Sequence, residues 1–129
     1  MDAVADTHAL LWWFTGSRKI SPKASQVFEE CEKGNCIIFI PIIVMAEALS
    51  IFDKKRISFD FLGLLEKLDA SDNFILVPLD FPILKDMVNR KDITELHDKI
   101  IVSTARHLGL PIITKDSEIQ SLSYIQTIW

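Results

Sequence analysis

The chain has 129 residues, 49% of them apolar and only four of them Gly, which excludes a disordered or low-complexity protein and suits one domain, residues 1–129, around a buried core. Its formal charge of -4 excludes an RNA- or DNA-binding mode that rests on blanket neutralisation of phosphates, so a nucleic-acid function needs a metal ion or a local basic patch. Mean hydropathy is +0.24, high for so small a chain, and a partner surface is expected.

Short β-type runs alternate with helical stretches. Asp2 to Ala5 reads as a short strand ending at Asp6. Thr7 to Phe14 reads as a helix with Ala9, Leu10, Trp13 and Phe14 on one face, stopped by Gly16. Ser21 and Pro22 form a helix start, Ser as cap and Pro in the first turn, and Gly34 marks the end near Lys33. Cys36 to Ile40 is a β-branched apolar run suited to a parallel strand covered on both faces. Pro41 opens a helix to about Lys54, and Ser58 is the expected cap of another, Phe59 to Leu68. Phe74 to Val77 is a third strand. Asp80 and Pro82 begin a helix reaching Asn89, and Thr94 and Glu95 begin a longer one ending at Leu108, with Gly109 behind it. Pro111 to Thr114 is a fourth strand, and Ile125 to Ile128 a candidate fifth. The alternation predicts a doubly wound α/β domain with a mainly parallel central sheet of four to five strands.

Cys31 and Cys36 have no further cysteine to complete a structural zinc site and read as buried or half-buried thiols in a reducing compartment. The N-terminus MDAVAD lacks a cationic region ahead of an apolar run, and Cys36 to Met45 is too short to span a bilayer, so a cytoplasmic protein without a membrane segment is expected.

Sites in open α/β sheets form beyond the carboxyl ends of the strands. Asp6 follows the first strand and Asp116 the fourth, while Glu47 lies in the second turn after Pro41 and Asp98 about one turn into the helix from Thr94, both helices starting at that same end. Each has a bland alternative. An Asp after a strand is often a helix cap, and Asp98 would complement a helix dipole. Glu47 resists such dismissal, because it interrupts the apolar stretch from Ile42 to Leu49 and is costly there without a partner. Two carboxylates about 5 Å apart repel by roughly 3 kcal/mol at an effective dielectric of 20, so such a cluster takes up protons or a cation. All-oxygen ligands select magnesium or manganese.

The stretches DTHALLWW at 6–13, MAEAL at 45–49 and LHDKIIVSTARHLGLPIITKD at 96–116, with the closing strand, resemble the PIN domain, and within it the toxins of VapBC-type toxin–antitoxin modules. The resemblance runs from Ala3 to Trp129. It implies a parallel sheet with the first strand central, and a metal-dependent endoribonuclease cutting single-stranded or looped RNA. Asp6, Glu47, Asp98 and Asp116 would be the catalytic acids. Asp6 and Asp98 would be principal magnesium (or manganese) ligands, with Asp116 completing the site directly or through water. Glu47 would orient a water or help hold a second ion, and Thr7 and Thr114 would fix carboxylate rotamers. A cognate antitoxin and a homodimer are the implied partners. Two departures stand out: Lys99 where many relatives carry Arg, and Glu95-Leu96-His97 ahead of Asp98, where Glu95 is a substitute for an acid common in relatives.

Among other features, His8 and His97 adjoin the acids and His107 suits a helix C-terminus, but three scattered histidines do not make a zinc hydrolase. Trp12, Trp13 and Phe14 cannot all face one core, so one of them is expected at a partner surface or a base. Lys54, Lys55 and Arg56 read as a solvated helix end or a phosphate contact, and Ser103 lacks a His–Asp arrangement. A haloacid-dehalogenase-like phosphohydrolase needs a second Asp where His8 stands. A receiver domain would use Asp80 but lacks the acidic pair at the first strand. A non-catalytic PIN-like binding module is opposed by the intact four acids.

Overall fold

Strand β1 (Ala3–Ala5) buries all three of its side chains, as a strand covered on both faces must. In the computed structural model, which describes residues 1–129, β1 pairs in parallel with β2 (Ile38–Pro41) on one side and β4 (Ile112–Ile113) on the other. Strand β3 (Phe74–Val77) lies beyond β2, and β5 (Thr127–Ile128) beyond β4, giving a five-stranded parallel sheet in the order β3-β2-β1-β4-β5. The chain steps from β1 outward to β3 and then returns past β1 to form β4. The carboxyl ends of β1 and β4 therefore flank the point where strand order reverses, which is where such sheets open a crevice.

Helices fill the connections. α1 (Thr7–Phe14) and α2 (Pro22–Glu32) join β1 to β2, α3 (Ile42–Lys55) and α4 (Phe61–Ala70) join β2 to β3, and α5 (Phe81–Met87) and α6 (Leu96–Leu108) lead to β4. A four-residue helix, α7 (Ser117–Gln120), precedes β5. Capping sets most starts: Ser21 accepts from Ala24 N at 3.1 Å with Pro22 behind it, and Asp80 accepts from Ile83 N at 3.2 Å. Gly109 ends α6 in the left-handed region at φ 68°, where a Cβ is costly.

The core gathers Val4, Leu10, Phe28, Ile38, Ile40, Val44, Ile101 and Ile112 between sheet and helices. Trp13 stacks on Phe28 with centroids 5.2 Å apart, and Phe14 meets Phe74 at 5.5 Å, so two of the three consecutive aromatics of α1 face inward. Cys31 and Cys36 are buried free thiols, and burial pushes both above the usual range, Cys31 to about 11. No helix is long and apolar enough to cross a membrane.

Several boundaries differ from expectation. Helix α4 starts at Phe61, with Asp60 rather than Ser58 as its cap, because the Asp60 carboxylate accepts from Gly63 N at 3.0 Å. Gly63 makes room for it: a Cβ there would lie 2.2 Å from Asp60 Oδ2. Of the two residues expected to begin α6, Thr94 and Glu95, it is Glu95 that caps it, accepting from Asp98 N at 2.8 Å. β2 begins at Ile38, two residues late, and β4 is confined to Ile112–Ile113, although Thr114 N still donates to Ile128 O at 3.2 Å.

Candidate active site

Asp6 leaves the buried end of β1 as the N-cap of α1, its Oδ1 accepting from Ala9 N at 2.9 Å. Asp116 does the same for α7, accepting from Glu118 N at 2.9 Å and Ile119 N at 3.1 Å. The bland reading of each as a cap therefore holds, and it fixes both carboxyl groups where β1 and β4 end side by side. Asp98 sits in the first turn of α6, and Glu47 in the second turn of α3. All four line one open cleft of about 580 Å³, together with Thr7, His8, Trp12, Glu95, Ile101 and Lys115.

The supporting bonds are specific. The Thr7 hydroxyl donates to Glu47 Oε1. His97 Nδ1 lies 3.4 Å from Glu47 Oε2 and 2.7 Å from Glu95 Oε1. Glu47 thus has the partners that an acid on an apolar helix needs. The Thr114 hydroxyl accepts from Asp116 N at 3.0 Å. Thr7 thus meets the Glu47 carboxylate, and Thr114 the backbone of Asp116.

Crowded acids alter each other's protonation. Burial raises the Asp6 carboxyl above the ordinary range, against the bonds from Thr114 and Ala9, and Asp116 pushes it further up. Asp98 is pushed up to about 7, by burial first and then by the charges of Asp116, Glu95, Glu47 and Asp6. Glu95 is also pushed up by burial, but the N–H groups of Asp98 and His97 and the His97 ring outweigh this and leave it lowered. The cleft is a coupled acidic cluster with an all-oxygen donor set, the chemistry that attracts a hard divalent cation. No three of these side chains are arranged as a ready-made metal cage.

Other residues singled out from the sequence fall into place. His8 is exposed and meets Trp12 at 5.6 Å, and His107 is exposed at the end of α6. Lys54 lines a neighbouring shallow cleft with Glu47 and His97, while Lys55 and Arg56 are simply exposed. Trp12 is the aromatic of α1 that faces the cleft. Lys115, which sequence reasoning passed over, lines it too; its only signal was its place between Thr114 and Asp116.

The PIN domain family model matches residues 3–123. The chain belongs to the PIN domain family. A search of curated protein sequences gives no match. Among solved structures, the PIN chain is similar to one in a toxin–antitoxin complex from Klebsiella pneumoniae, with TM-score 0.70 and 21% identity over 95% of this chain and 94% of that one. A chain of VapBC2 from Rickettsia felis, solved bound to a DNA fragment from its promoter, gives TM-score 0.70 and 17% identity, covering 98% of this chain and 97% of that one. A chain of FitAcB from Neisseria gonorrhoeae gives 0.66 and 15%, covering 98% and 96%. These identities speak to the PIN fold alone, over nearly its full length.

Proposed function

We propose that this PIN domain is a magnesium- or manganese-dependent endoribonuclease, the VapC-like toxin of a toxin–antitoxin pair. The single observation that carries the proposal is the gathering of Asp6, Glu47, Asp98 and Asp116 in one cleft at the strand-order reversal. Asp6 and Asp98 would be the principal ligands of the ion, and Asp116 would reach it directly or through a water. When bound, the ion supplies the positive charge that an acidic protein needs to draw in a phosphodiester, and it makes water more acidic near neutral pH.

The chain's own residues supply position. Cap bonds orient the Asp6 and Asp116 carboxylates, and Thr114 braces the backbone at Asp116. Glu47, restrained by Thr7 and His97, is set to orient the attacking water against the phosphate. Glu95 takes the part of the acid that many relatives carry ahead of the third carboxylate, since it borders the same cleft.

Similarity to chains solved in toxin–antitoxin complexes supports an antitoxin partner, and exposed apolar side chains on and beside α5, Phe81, Leu84 and Val88, offer surface for it or for a second copy. Buried reduced thiols suit a cytoplasmic setting.

The test is cleavage of an end-labelled single-stranded RNA by the purified chain. Cleavage with magnesium or manganese that stops on chelation, without release of phosphate from a generic monoester, is the expected result. Monoester hydrolysis without RNA cleavage would favour the phosphohydrolase alternative, and no turnover in either assay, with or without the ion, would favour a non-catalytic PIN module.

A further inference from the structure

We infer that Trp12 is a stacking platform for a nucleotide base adjoining the carboxylate cleft, with Lys19 and Lys115 as the phosphate contacts beside it. The inference rests on the proposed action on RNA and adds the residues that would grip the strand.

Trp12 is half-buried and lines the cleft, whereas its neighbours Trp13 and Phe14 are spent on the core. Only one other apolar residue, Ile101, lines that cleft, so the indole is its main apolar surface among charged and polar groups. Trp129 tilts against it at 5.6 Å, as does His8, and these contacts hold the ring in place. Lys19 and Lys115 each bring Nζ to 5.9 Å from the indole centroid, and neither is ion-paired to a carboxylate.

A ligand that satisfies this corner must offer a flat aromatic face and negative charge together. A nucleotide does both, its base on the indole and its phosphates at the two ammonium groups. A cationic peptide would suit the carboxylates but meet two unpaired lysines at Trp12. Asp6 and Trp12 lie on one helix, about 9 Å of rise apart, so a strand whose phosphate reaches the carboxylates brings a neighbouring base to the indole.

The test measures binding of labelled hexauridylate and of an abasic hexamer of equal charge, in EDTA and in calcium. Each base stacked on an aromatic contributes about 5- to 150-fold in affinity, from roughly 1–3 kcal/mol. Wild type is expected to prefer hexauridylate by a factor in that range. Trp12→Leu should erase the preference while leaving abasic affinity within about twofold, and Trp12→Phe should keep most of it. Indole fluorescence should be quenched by hexauridylate in wild type but not in Trp12→Phe, which checks the contact even if the leucine variant folds poorly. The preference is a ratio, so it survives if calcium proves to have no effect on affinity, a result that would count only against the metal site. Equal binding of the two hexamers, no binding of either, or a preference untouched by Trp12→Leu would overturn the inference. So would a hexaarginine peptide whose binding alone depends on Trp12, which would assign the corner to a protein partner.

Discussion

Asp6 has two roles that substitution can separate. It caps α1 through Oδ1, and it lies in a cluster that repels its charge. Asn preserves the cap and relieves the repulsion, so Asp6→Asn should melt at or above the wild-type temperature. Asp6→Ala loses the cap and should cost about 1 kcal/mol relative to Asn. Thermal melts of the two variants check the order. Asp98 makes a pH prediction of definite sign. Its carboxyl titrates near 7 in the folded chain but in the ordinary range when unfolded. Between those values the folded state holds a proton that the unfolded chain has released, so this group lowers stability as pH rises from about 4 to about 7, and no further above that. The fall in melting temperature from pH 5 to pH 8 should be smaller in Asp98→Asn than in wild type; an equal or larger fall would remove the cluster as its cause. Ser103 is fully buried with no hydrogen-bond partner for its hydroxyl, so Ser103→Ala should be neutral or stabilising by up to about 1 kcal/mol, read as a melting shift of a few degrees at most.

At the scale of elements, α3 ends on Arg56 at φ 52°, the one non-glycine residue in the left-handed region. Arg56→Gly should stabilise the chain by about 1 kcal/mol, measured by denaturant midpoint. The elements legible in the sequence were those with punctuation at both ends, such as α2 between Ser21-Pro22 and Gly34, or α6 before Gly109. Ser58 and Asp60 each precede a Phe, and nothing local separates them as caps; what decides is the room left at Gly63. Four-residue α7 is too short for periodicity to reveal, although its cap, Asp116, was singled out for another reason. The candidate carboxylates were visible as acids after strands and at helix starts. Their convergence was not visible in pattern alone, because it depends on β4 returning beside β1, and strand order came only with the PIN resemblance. Trp12, Trp13 and Phe14 showed that one aromatic must face outward without showing which, since that follows from Phe28 and Phe74 claiming the other two.

For the whole molecule, an apolar fraction too large for its interior emerges on and beside α5, where Phe81 is 70% and Val88 66% exposed. A two-fold dimer, or capture by an antitoxin, is the expected use of that surface, and light scattering should find more than a monomer. A monomer at high concentration, indifferent to a co-expressed antitoxin, would contradict this. With a charge of -4 and an acidic cleft, cleavage of RNA calls for a cation in the cluster, whatever the two lysines at Trp12 add to binding. The most direct measurement is therefore cleavage of single-stranded RNA in magnesium by wild type, Asp6→Asn, Asp98→Asn and the double variant, beside a melt of each. Both single variants should lose activity by about 100-fold or more without a fall in melting temperature, and the double should be no worse than either, because both changes weaken hold on the same ion. Full magnesium-dependent activity in folded Asp6→Asn would contradict the carboxylate mechanism.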